Sequence, residues 1–283
     1  MRILIVGPGR AGLALSIAAR AAGHEIVGVA GRDREHARTA AEHLGLPPFA
    51  IGDRLPSVEL LVVATRDGDI AGAAAALANG PGDVSAAVHL SGLVRVAALA
   101  PLSDRGALVG AFHPLQTLPT PTTGASRIAG AWVGITAAEP LRTRLHELAV
   151  SLGAVPFDLA DDDKPLYHAA AAAAANFTLG SLIIASDLMT AAGVPFEATR
   201  PLVDAVVANA YEIGPRPALT GPVVRGDSAT VDAQLDAVAA SAPQWLEVYT
   251  ASVATLARIA GRLDLFADVL AADREAGDGA VAR

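Results

Sequence analysis

Apolar positions in the first 160 residues fall into short runs that alternate with stretches of helical spacing. The first run, Ile3 to Val6, stops at Gly7, and apolar residues then recur at helical spacing from Leu13. The later runs are strongly apolar, which is typical of parallel strands buried on both faces. We predict strands over residues 25–30, 49–51, 58–65, 84–90, 107–112, 131–136 and 155–159, and helices over 34–44, 67–79 and 139–152. This alternation predicts a doubly wound α/β sheet, whose ligands bind beyond the carboxyl ends of the strands.

After residue 160 the pattern changes to helices alone. We predict these helices over residues 165–190, 196–213, 228–240 and 243–260. Residues 118–130 and 214–227 are rich in turn-forming residues, so both are predicted as loops, the first of them near the site. The chain is therefore predicted to consist of an α/β domain at residues 1–160, an all-α substrate and dimerisation domain at 161–272, and a flexible tail at 273–283.

Three glycines follow the first strand with the spacing Gly7-x-Gly9-x-x-Gly12. In a dinucleotide-binding turn of the Rossmann type, the first glycine makes the tight turn, the second lets the backbone approach a pyrophosphate, and the third lets the helix pack on the strand. The N-terminus of the following helix offers free N–H groups to the phosphates. The predicted cofactor-binding residues are Gly7, Pro8, Gly9, Arg10, Ala11, Gly12, Arg32, Thr65 and Ser91.

Arg32 stands at the corner after the second predicted strand, where the cofactor's adenosine ribose would lie. An acidic residue at this corner selects NAD, whereas an arginine accommodates the 2′-phosphate of NADP. Asp33 lies one position later and could instead cap the following helix. We therefore favour NADP over NAD, the alternative being that Arg32 is only a solvated surface residue.

Composition narrows the range of partners. The formal net charge of -8 and the lack of a concentrated basic face argue against a nucleic-acid partner and favour a small molecule. The chain has no cysteine, so disulfides and thiolate sites are excluded. No signal peptide precedes the first strand, and we expect a cytoplasmic location.

Residues 165–186 contain no Asp, Glu, Lys or Arg and are long enough to span a membrane. However, this stretch is rich in alanine and carries polar residues such as His168 and Asn176, which are costly against lipid. We expect a helix buried in protein, surrounded by other helices or by a dimer partner, and no membrane.

Hydride transfer to a carbonyl or imine needs a proton donor and a group that holds the substrate. His113 ends a strand at the ligand-binding edge, and His168 lies one turn into the long helix, on one stripe with Asn176. Lys164 precedes His168 by four residues. Both His168 and Asn176 could instead form a satisfied polar pair in a helical interface. The predicted catalytic residues are His168, Lys164, Asn176 and His113, and the predicted substrate-binding residues are Gln116, Thr220 and Arg225.

Three consecutive aspartates, Asp161 to Asp163, precede the long helix. Adjacent side chains diverge, so we expect these residues to cap the helix and to complement its dipole rather than to bind a metal. No metal site is predicted.

Several segments together resemble one protein family over nearly the whole chain. These segments are Gly7 to Gly12, Leu90 to Gly92, Phe112 to Gln116, Leu166 to Ala170 with Asn176, and Ala218 to Asp227. The chain resembles a bacterial family with an N-terminal Rossmann-like domain and a C-terminal helical domain originally catalogued as of unknown function. That family belongs with the 6-phosphogluconate dehydrogenase-like oxidoreductases, beside ketopantoate reductase, pyrroline-5-carboxylate reductase and prephenate dehydrogenase.

The resemblance implies an NADP-linked reductase that dimerises through its helical domain. Some members of the family are considered alternative ketopantoate reductases. Several relatives pair a catalytic lysine with an asparagine four residues later, but here His168 stands four residues after Lys164. Either His168 is the acid, or Lys164 keeps that role with a different partner.

Our first hypothesis is therefore an NADP-dependent reductase of a small carbonyl or imine carboxylic acid, with ketopantoate as one candidate. Arg225 is expected to hold the carboxylate, since a guanidinium can bind two oxygens at once. The alternatives are a non-catalytic protein that binds or senses NADP, and an oxidoreductase that links NADP to a deazaflavin.

Overall fold

The computed structural model describes residues 1–42, 44–80, 82 and 84–267. The chain divides into two compact units, Met1–Asn176 and Phe177–Arg283. The predicted tail at residues 273–283 lies outside the described residues. The division between the units falls inside the long helix rather than before it, and the predicted domain boundary after residue 160 stays a prediction.

The first unit is built on one sheet. Its eight strands are β1 (Arg2–Val6), β2 (Glu25–Gly31), β3 (Pro48–Ala50), β4 (Leu60–Val63), β5 (Ala86–His89), β6 (Leu108–Leu115), β7 (Trp132–Ala137) and β8 (Val155–Asp158). Their order is β3-β2-β1-β4-β5-β6-β7-β8, and neighbouring strands are parallel except β6 and β7. The predicted doubly wound α/β class is confirmed. Strand β6 is longer than predicted, so His113 lies within it rather than after it.

The side chains of β1 point alternately to the two faces of the sheet, and both faces are covered by apolar residues. Ile3 and Ile5 join the apolar core on one face of the sheet, and Leu4 and Val6 join the core on the other face. Successive side chains of a strand point to opposite faces, so a strand that is apolar throughout requires cover on both sides. Polar groups can then meet a ligand only beyond the ends of the strands.

Seven helices of the first unit are described. They are α1 (Arg10–Ala21), α2 (Arg34–Glu42), α3 (Ile70–Asn79), α4 (Ala100–Ser103), α5 (Pro121–Ile128), α6 (Leu141–Ser151) and α7 (Lys164–Ala172). The prediction of a loop over residues 118–130 is wrong, because this segment contains α5. Thr120 caps α5 by accepting a hydrogen bond from the backbone N–H of Thr123 at 3.1 Å, and a proline stands in its first turn. The turn-forming residues at this point are helix start signals.

Helix α5 packs against the helix that follows the three glycines. A Cβ atom built on Gly124 would lie 2.9 Å from the Cβ of Ala14 in α1, so only glycine permits this approach. The side chain of Arg10 reaches the carbonyl of Pro119, just before α5, at 3.5 Å. The segment predicted as a loop is therefore a fixed neighbour of α1.

The described part of the second unit is helical, as predicted. Its helices are α8 (Thr178–Ala191), α9 (Arg200–Ile213), α10 (Pro222–Arg225), α11 (Ser228–Ser241) and α12 (Leu246–Ile259). The prediction that residues 214–227 contain no helix is wrong for the short α10. The single helix predicted over 165–190 consists of α7 and α8, joined by a π-helical turn at Ala173–Phe177. Such π turns are rare and occur frequently at functional sites.

Most of the long helix has no cover within the described chain, although Lys164 at its start is buried, and the predicted cover by a dimer partner stays a prediction. Neither α8 nor α9 has a buried residue. The helical stretch Asp161–Ala191, with a mean hydropathy of 1.5 over its most apolar window, is long and apolar enough to cross a membrane by length and composition alone. One such helix is weak evidence of a membrane protein. A helix that is apolar all round needs cover, and other helices of the described chain do not provide it.

A close contact in the sheet predicts a stability difference. A Cβ atom on Gly28 would lie 2.4 Å from Cε2 of Phe49 and 2.7 Å from the carbonyl oxygen of Pro47. We expect Gly28→Ala to lower the free energy of unfolding by about 1–3 kcal/mol, the usual cost of overpacking. Urea unfolding measures the change.

Gly72, exposed in the first turn of α3, is the control because a Cβ atom there meets nothing within 4 Å. Gly72→Ala should leave stability unchanged or raise it by at most about 1 kcal/mol, since alanine has a higher helix propensity than glycine. Equal effects of the two substitutions would contradict the packing described for Gly28.

Candidate functional site

The three glycines have the geometry that a dinucleotide cradle requires. Gly7 has φ of +105°, and a Cβ atom there would lie 2.7 Å from the backbone of Ala64. A Cβ atom on Gly12 would lie 2.5 Å from the carbonyl oxygen of Gly7 and 2.9 Å from Ile5. By contrast, a Cβ atom on Gly9 meets nothing within 4 Å. Gly7 therefore makes the turn, Gly12 lets α1 pack on β1, and the space over Gly9 is open to a ligand.

The N-terminus of α1 is suited to a phosphate group. Gly9 is its N-cap residue, no side chain caps the helix, and its first turn holds no acidic residue. The first N–H groups of a helix lack partners within the helix and carry partial positive charge. Next to this turn, the hydroxyl oxygen of Thr65 is buried without a hydrogen-bond partner. A buried hydroxyl of this kind is a group that a ligand can satisfy.

The corner after β2 holds an exposed Arg32. The neighbouring Asp33 accepts a hydrogen bond from the backbone N–H of Glu35 at 2.8 Å, so its carboxylate caps α2. The capping role considered for Asp33 is thus observed. Arg32 remains as the residue placed to meet a charged group at this corner.

The turn after β5 is held together by two side chains. The Ser91 hydroxyl accepts hydrogen bonds from the N–H groups of Leu93 and Val94, at 3.1 and 2.9 Å. The N–H of Ser91 donates to Nδ1 of His89 at 3.2 Å. The Ser91 side chain is therefore engaged in the turn itself, and its role as a cofactor ligand stays a prediction.

Lys164 ties this turn to the start of α7. Its side chain is 1% exposed, and Nζ donates to the carbonyl of Val94 at 2.7 Å and lies 3.5 Å from Oδ1 of Asp161. Asp161 also accepts the N–H of Val96 at 3.0 Å. Burial lowers the pKa of Lys164, and the Asp161 carboxylate opposes that shift. The ammonium group of Lys164 is thus engaged by the protein.

The aspartates before α7 act differently from expectation. Asp161 binds Lys164 and Val96, and Asp162 pairs with Arg95 at 2.9 Å. No side chain caps α7, so the predicted capping role is wrong. Among the residues that the structure describes, no group of three His, Asp or Glu side chains could hold a metal ion.

His113, Tyr167 and His168 form a cluster of rings on one face of the sheet. Nδ1 of His113 and the hydroxyl of Tyr167 are hydrogen-bonded at 2.8 Å. The ring centroid of His113 lies 5.5 Å from that of Tyr167 and 6.3 Å from that of His168, in edge-to-face arrangements. A Cβ atom on Gly92 would lie 2.7 Å from Cε1 of His113, so the turn after β5 packs flat on this ring. Two of the predicted catalytic residues, His113 and His168, are therefore neighbours.

The buried histidines are held neutral. Burial, followed by the charges of His168 and Lys164, lowers the pKa of His113 to about 4. Burial, followed by the charge of Lys164, lowers the pKa of His89 to about 4. Nε2 of His89 and Nδ1 of His168 are buried without hydrogen-bond partners. Burial disfavours the charged form of an imidazole, so His89 and His113 stay neutral at pH 7.

The other predicted site residues are more dispersed. Asn176 is exposed and belongs to the π-helical turn. Gln116 is exposed, and its side-chain oxygen accepts the N–H of Thr117 at 2.8 Å. Thr220 and Arg225 are exposed residues of the second unit. Their roles in substrate binding stay predictions.

Two residues of the site, Tyr167 and His89, are not among the site residues predicted from the sequence. Tyr167 appears there only within the motif Leu166 to Ala170. His89 could have been found, because it is a histidine inside the apolar run 84–90. A polar side chain buried in a strand usually has a hydrogen-bond partner or a function. Nothing in the spacing could show that Tyr167 meets His113, which is 54 residues away in sequence.

The fold and this site define a class: an α/β dinucleotide-binding fold followed by helices. Residues 1–114 match the model of a Rossmann-like domain, and residues 131–255 match that of a domain of unknown function, DUF2520. The chain therefore combines a Rossmann-like domain with a DUF2520 domain, which confirms the resemblance inferred from its motifs. Among curated proteins, none matches this chain.

Solved structures share the fold over nearly the whole chain. A candidate NADP oxidoreductase from Bacteroides fragilis is 22% identical, with a TM-score of 0.78, covering 91% of this chain and 98% of that one. A reductive aminase from Aspergillus terreus, in complex with NADPH and ethyl levulinate, is 18% identical, with a TM-score of 0.63 and coverage of 94% and 99%. The 1-pyrroline-5-carboxylate reductase of Streptococcus pyogenes is 17% identical, with a TM-score of 0.59 and coverage of 92% and 98%.

The neutral histidines predict a loss of stability in acid. His89 and His113 have a pKa of about 4 in the folded protein, below the value of about 6.5 in an unfolded chain. Their contribution is therefore complete above pH about 6.5 and is lost as the pH falls through about 4. Each pKa unit corresponds to about 1.4 kcal/mol, so we expect the unfolding free energy to fall by at least about 3 kcal/mol over this range. Urea unfolding at a series of pH values measures this loss.

The variant His89→Asn/His113→Asn is the comparison for this experiment. It lacks both buried imidazoles, so its stability should depend less steeply on pH between about 6.5 and 4. An unchanged slope in this variant would contradict the assignment of the pH dependence to these two side chains.

Proposed function

We propose that this protein is an NADP-dependent oxidoreductase that reduces the C=O or C=N bond of a small carboxylic acid. The observation that carries the proposal is the cradle at Gly7, Gly9 and Gly12, in which two glycines are sterically required and the third leaves open space. The same turn also leads into a helix whose N-terminus is not capped by a side chain and is therefore free to bind a phosphate group. The NADP oxidoreductase, the reductive aminase and the 1-pyrroline-5-carboxylate reductase of the same fold support the same interpretation.

The residues around the cradle fit the cofactor. The N–H groups at the start of α1 would hold the pyrophosphate, the unsatisfied hydroxyl of Thr65 would meet the cofactor beside Gly7, and Arg32 would meet the 2′-phosphate. When bound, NADPH supplies a hydride to the carbon of the substrate's double bond.

The substrate class rests on the groups expected at the reacting end. Structures of this fold include a reductive aminase and a pyrroline-carboxylate reductase, which favours a carbonyl or imine. Arg225 is assigned to the carboxylate, with Thr220 and Gln116 as further substrate contacts and Asn176 as the orienting amide. Ketopantoate is one member of this class.

The contacts of Lys164 argue against this residue as the general acid that protonates the substrate. Its ammonium group already binds the Val94 carbonyl and the Asp161 carboxylate. A general acid must reach the substrate atom to which it donates. We therefore assign the acid to the ring cluster around His168 and not to Lys164.

Cofactor titration is the first test. We expect NADPH to bind more tightly than NADH in calorimetric titrations, because Arg32 adds a charge-assisted contact to the 2′-phosphate. Arg32→Ser should weaken NADPH binding about tenfold, equivalent to about 1.4 kcal/mol, and leave NADH binding unchanged. Arg34→Ser is the control, because Arg34 pairs with Asp53 instead.

Turnover is then screened by the loss of NADPH absorbance with a panel of ketopantoate, other 2-oxo acids and 1-pyrroline-5-carboxylate. Oxidation of NADPH with any of them supports the proposal. Binding of NADPH without turnover would instead favour the non-catalytic sensing role, and failure to bind either nucleotide would refute the proposal at its base. The cytoplasmic location stays a prediction.

We also propose that the protein is a homodimer through its helical unit. Large apolar side chains of α8 and α9 are exposed, namely Leu179, Ile183, Leu202, Val206, Val207, Tyr211 and Ile213. Exposed apolar area of this extent is typical of a surface that is covered by a partner. A second copy of the chain would also supply the cover that the long apolar helix lacks.

Sedimentation at micromolar concentration tests the dimer. The full chain should sediment at twice its 28.5 kDa mass, whereas Leu202→Glu/Val206→Glu should shift it towards the monomer because charges would be buried in the interface. Glu212→Lys, at another exposed position of α9, should leave the mass unchanged. A wild-type monomer would contradict this assignment.

A further inference from the structure

The hydroxyl of Tyr167 is held at a defined point of the ring cluster. It lies 2.8 Å from Nδ1 of His113, and the two rings stand edge to face with an interplanar angle of 89°. On its other side, Tyr167 contacts the ring of Phe157 at a centroid distance of 5.9 Å. Gly134 lies beneath, where a Cβ atom would come within 3.2 Å of Phe157 and 3.6 Å of the Tyr167 hydroxyl. The phenol is therefore positioned by neighbours on three sides.

His113 is itself fixed at the ligand-binding edge of the sheet. Strand β5 pairs with β6 only as far as His89 and Ala111, so His113 lies two residues beyond the last pair. The backbone at Gly92 packs directly against its ring. The His113 side chain thus connects the carboxyl end of the parallel strands, where ligands bind in this class of fold, to Tyr167 on α7.

Both His113 and Tyr167 are uncharged at neutral pH, which leaves the hydrogen of the Tyr167 hydroxyl available for donation. Burial raises the pKa of Tyr167 to about 12, so the phenol stays protonated at neutral pH. Burial, with smaller contributions from His168 and Lys164, lowers the pKa of His113 and keeps it neutral, although the carboxylate of Asp67 opposes this shift. A neutral imidazole carries its proton on one of two nitrogens. If that nitrogen is Nδ1, His113 donates to the phenolic oxygen, and the phenolic hydrogen is left for another acceptor.

We infer that Tyr167 is the catalytic proton donor of the reductase and that His113, protonated on Nδ1, is its positioning residue, an inference that rests on the proposed function. Hydride addition to the substrate carbon breaks the π bond, and the electron pair moves to the oxygen or nitrogen. That atom takes the proton of the Tyr167 hydroxyl. The Nδ1–H group of His113 stabilises the phenolate until a proton from solvent restores the phenol.

The neighbouring side chains fit this assignment less well as donors. The ammonium group of Lys164 is already bonded to Val94 and Asp161. Nδ1 of His168 is buried and has no hydrogen-bond partner, so no neighbouring group fixes the orientation of this ring as His113 fixes the Tyr167 hydroxyl. Of these three side chains, Tyr167 is the one that combines a fixed position with a partner, His113, that can stabilise its deprotonated form.

The tautomer of His113 can be measured without turnover. In ligand-free protein at pH 7, long-range ¹H–¹⁵N NMR of the histidine rings should show His113 neutral and protonated on Nδ1. Tyr167→Phe removes the acceptor and should shift His113 towards the Nε2–H form. A wild-type His113 protonated on Nε2 would overturn the inference, because its bare Nδ1 would then hold the phenolic proton.

The second measurement is steady-state kinetics with ketopantoate or 1-pyrroline-5-carboxylate, whichever the protein reduces. Tyr167→Phe should lower kcat at least about 100-fold, in line with the usual contribution of a general acid, and leave the NADPH dissociation constant within about threefold. His113→Gln should lower kcat about tenfold or more, whereas His113→Asn, whose amide can donate from the Nδ1 position, should recover part of the loss. Trp132→Leu is the control for ring packing in this region, because Trp132 contacts Phe157 and not Tyr167, and it should retain most of the activity.

The pH profile separates a tyrosine from a histidine donor. With Tyr167 as the acid, kcat should stay level between pH 7 and 9, below the pKa of about 12. With an ordinary histidine as the acid, kcat would fall about tenfold per pH unit above about 6.5. Such a fall, or full activity of Tyr167→Phe, overturns this inference while the proposed function stands. If the wild-type protein oxidises NADPH with no member of the panel, the proposed function fails and the inference fails with it.

Discussion

The buried ammonium group of Lys164 joins two parts of the chain that carry the candidate chemistry. It binds the carbonyl of Val94 in the turn after β5 and the carboxylate of Asp161 before α7. Taking a charge out of water costs several kcal/mol unless partners replace the water, and both partners here do so. The turn places Gly92 against His113, and α7 carries Tyr167. Lys164 therefore fixes the turn that packs on His113 relative to the start of the helix that carries Tyr167.

The two ends of the site use different physical means. At the cofactor end the geometry is set by steric fit, because Gly7 and Gly12 have no side chains and their backbone can pack closely on neighbouring segments. At the reacting end it is electrostatic, since burial keeps His113 neutral and Tyr167 protonated. The cofactor end follows the carboxyl ends of β1 and β4, and His113 lies in β6 beyond its last pair with β5, so both ends are at the edge of the sheet where ligands bind in this fold.

The sequence predicts the sheet and the glycine turn well, because both depend on local patterns. The apolar run of β1 and the spacing of Gly7, Gly9 and Gly12 are contiguous signals. Helix α5 was missed because the residues of 118–130 favour turns and helix starts equally. The meeting of Tyr167 with His113 and the engagement of Lys164 depend on contacts between distant segments, which no local pattern encodes. The exposure of α8 also depends on contacts between distant segments, so the local sequence pattern does not predict it.

The packing of α5 against α1 has a consequence for how a dinucleotide would be received. A lid that closes over a ligand must first give up conformational freedom, and that entropy is subtracted from the affinity. Here the segment beside the cradle is already a capped helix, and Gly124 lies in close contact with Ala14. The wall beside the phosphate site is thus preorganised, and cofactor association carries no ordering cost at this segment.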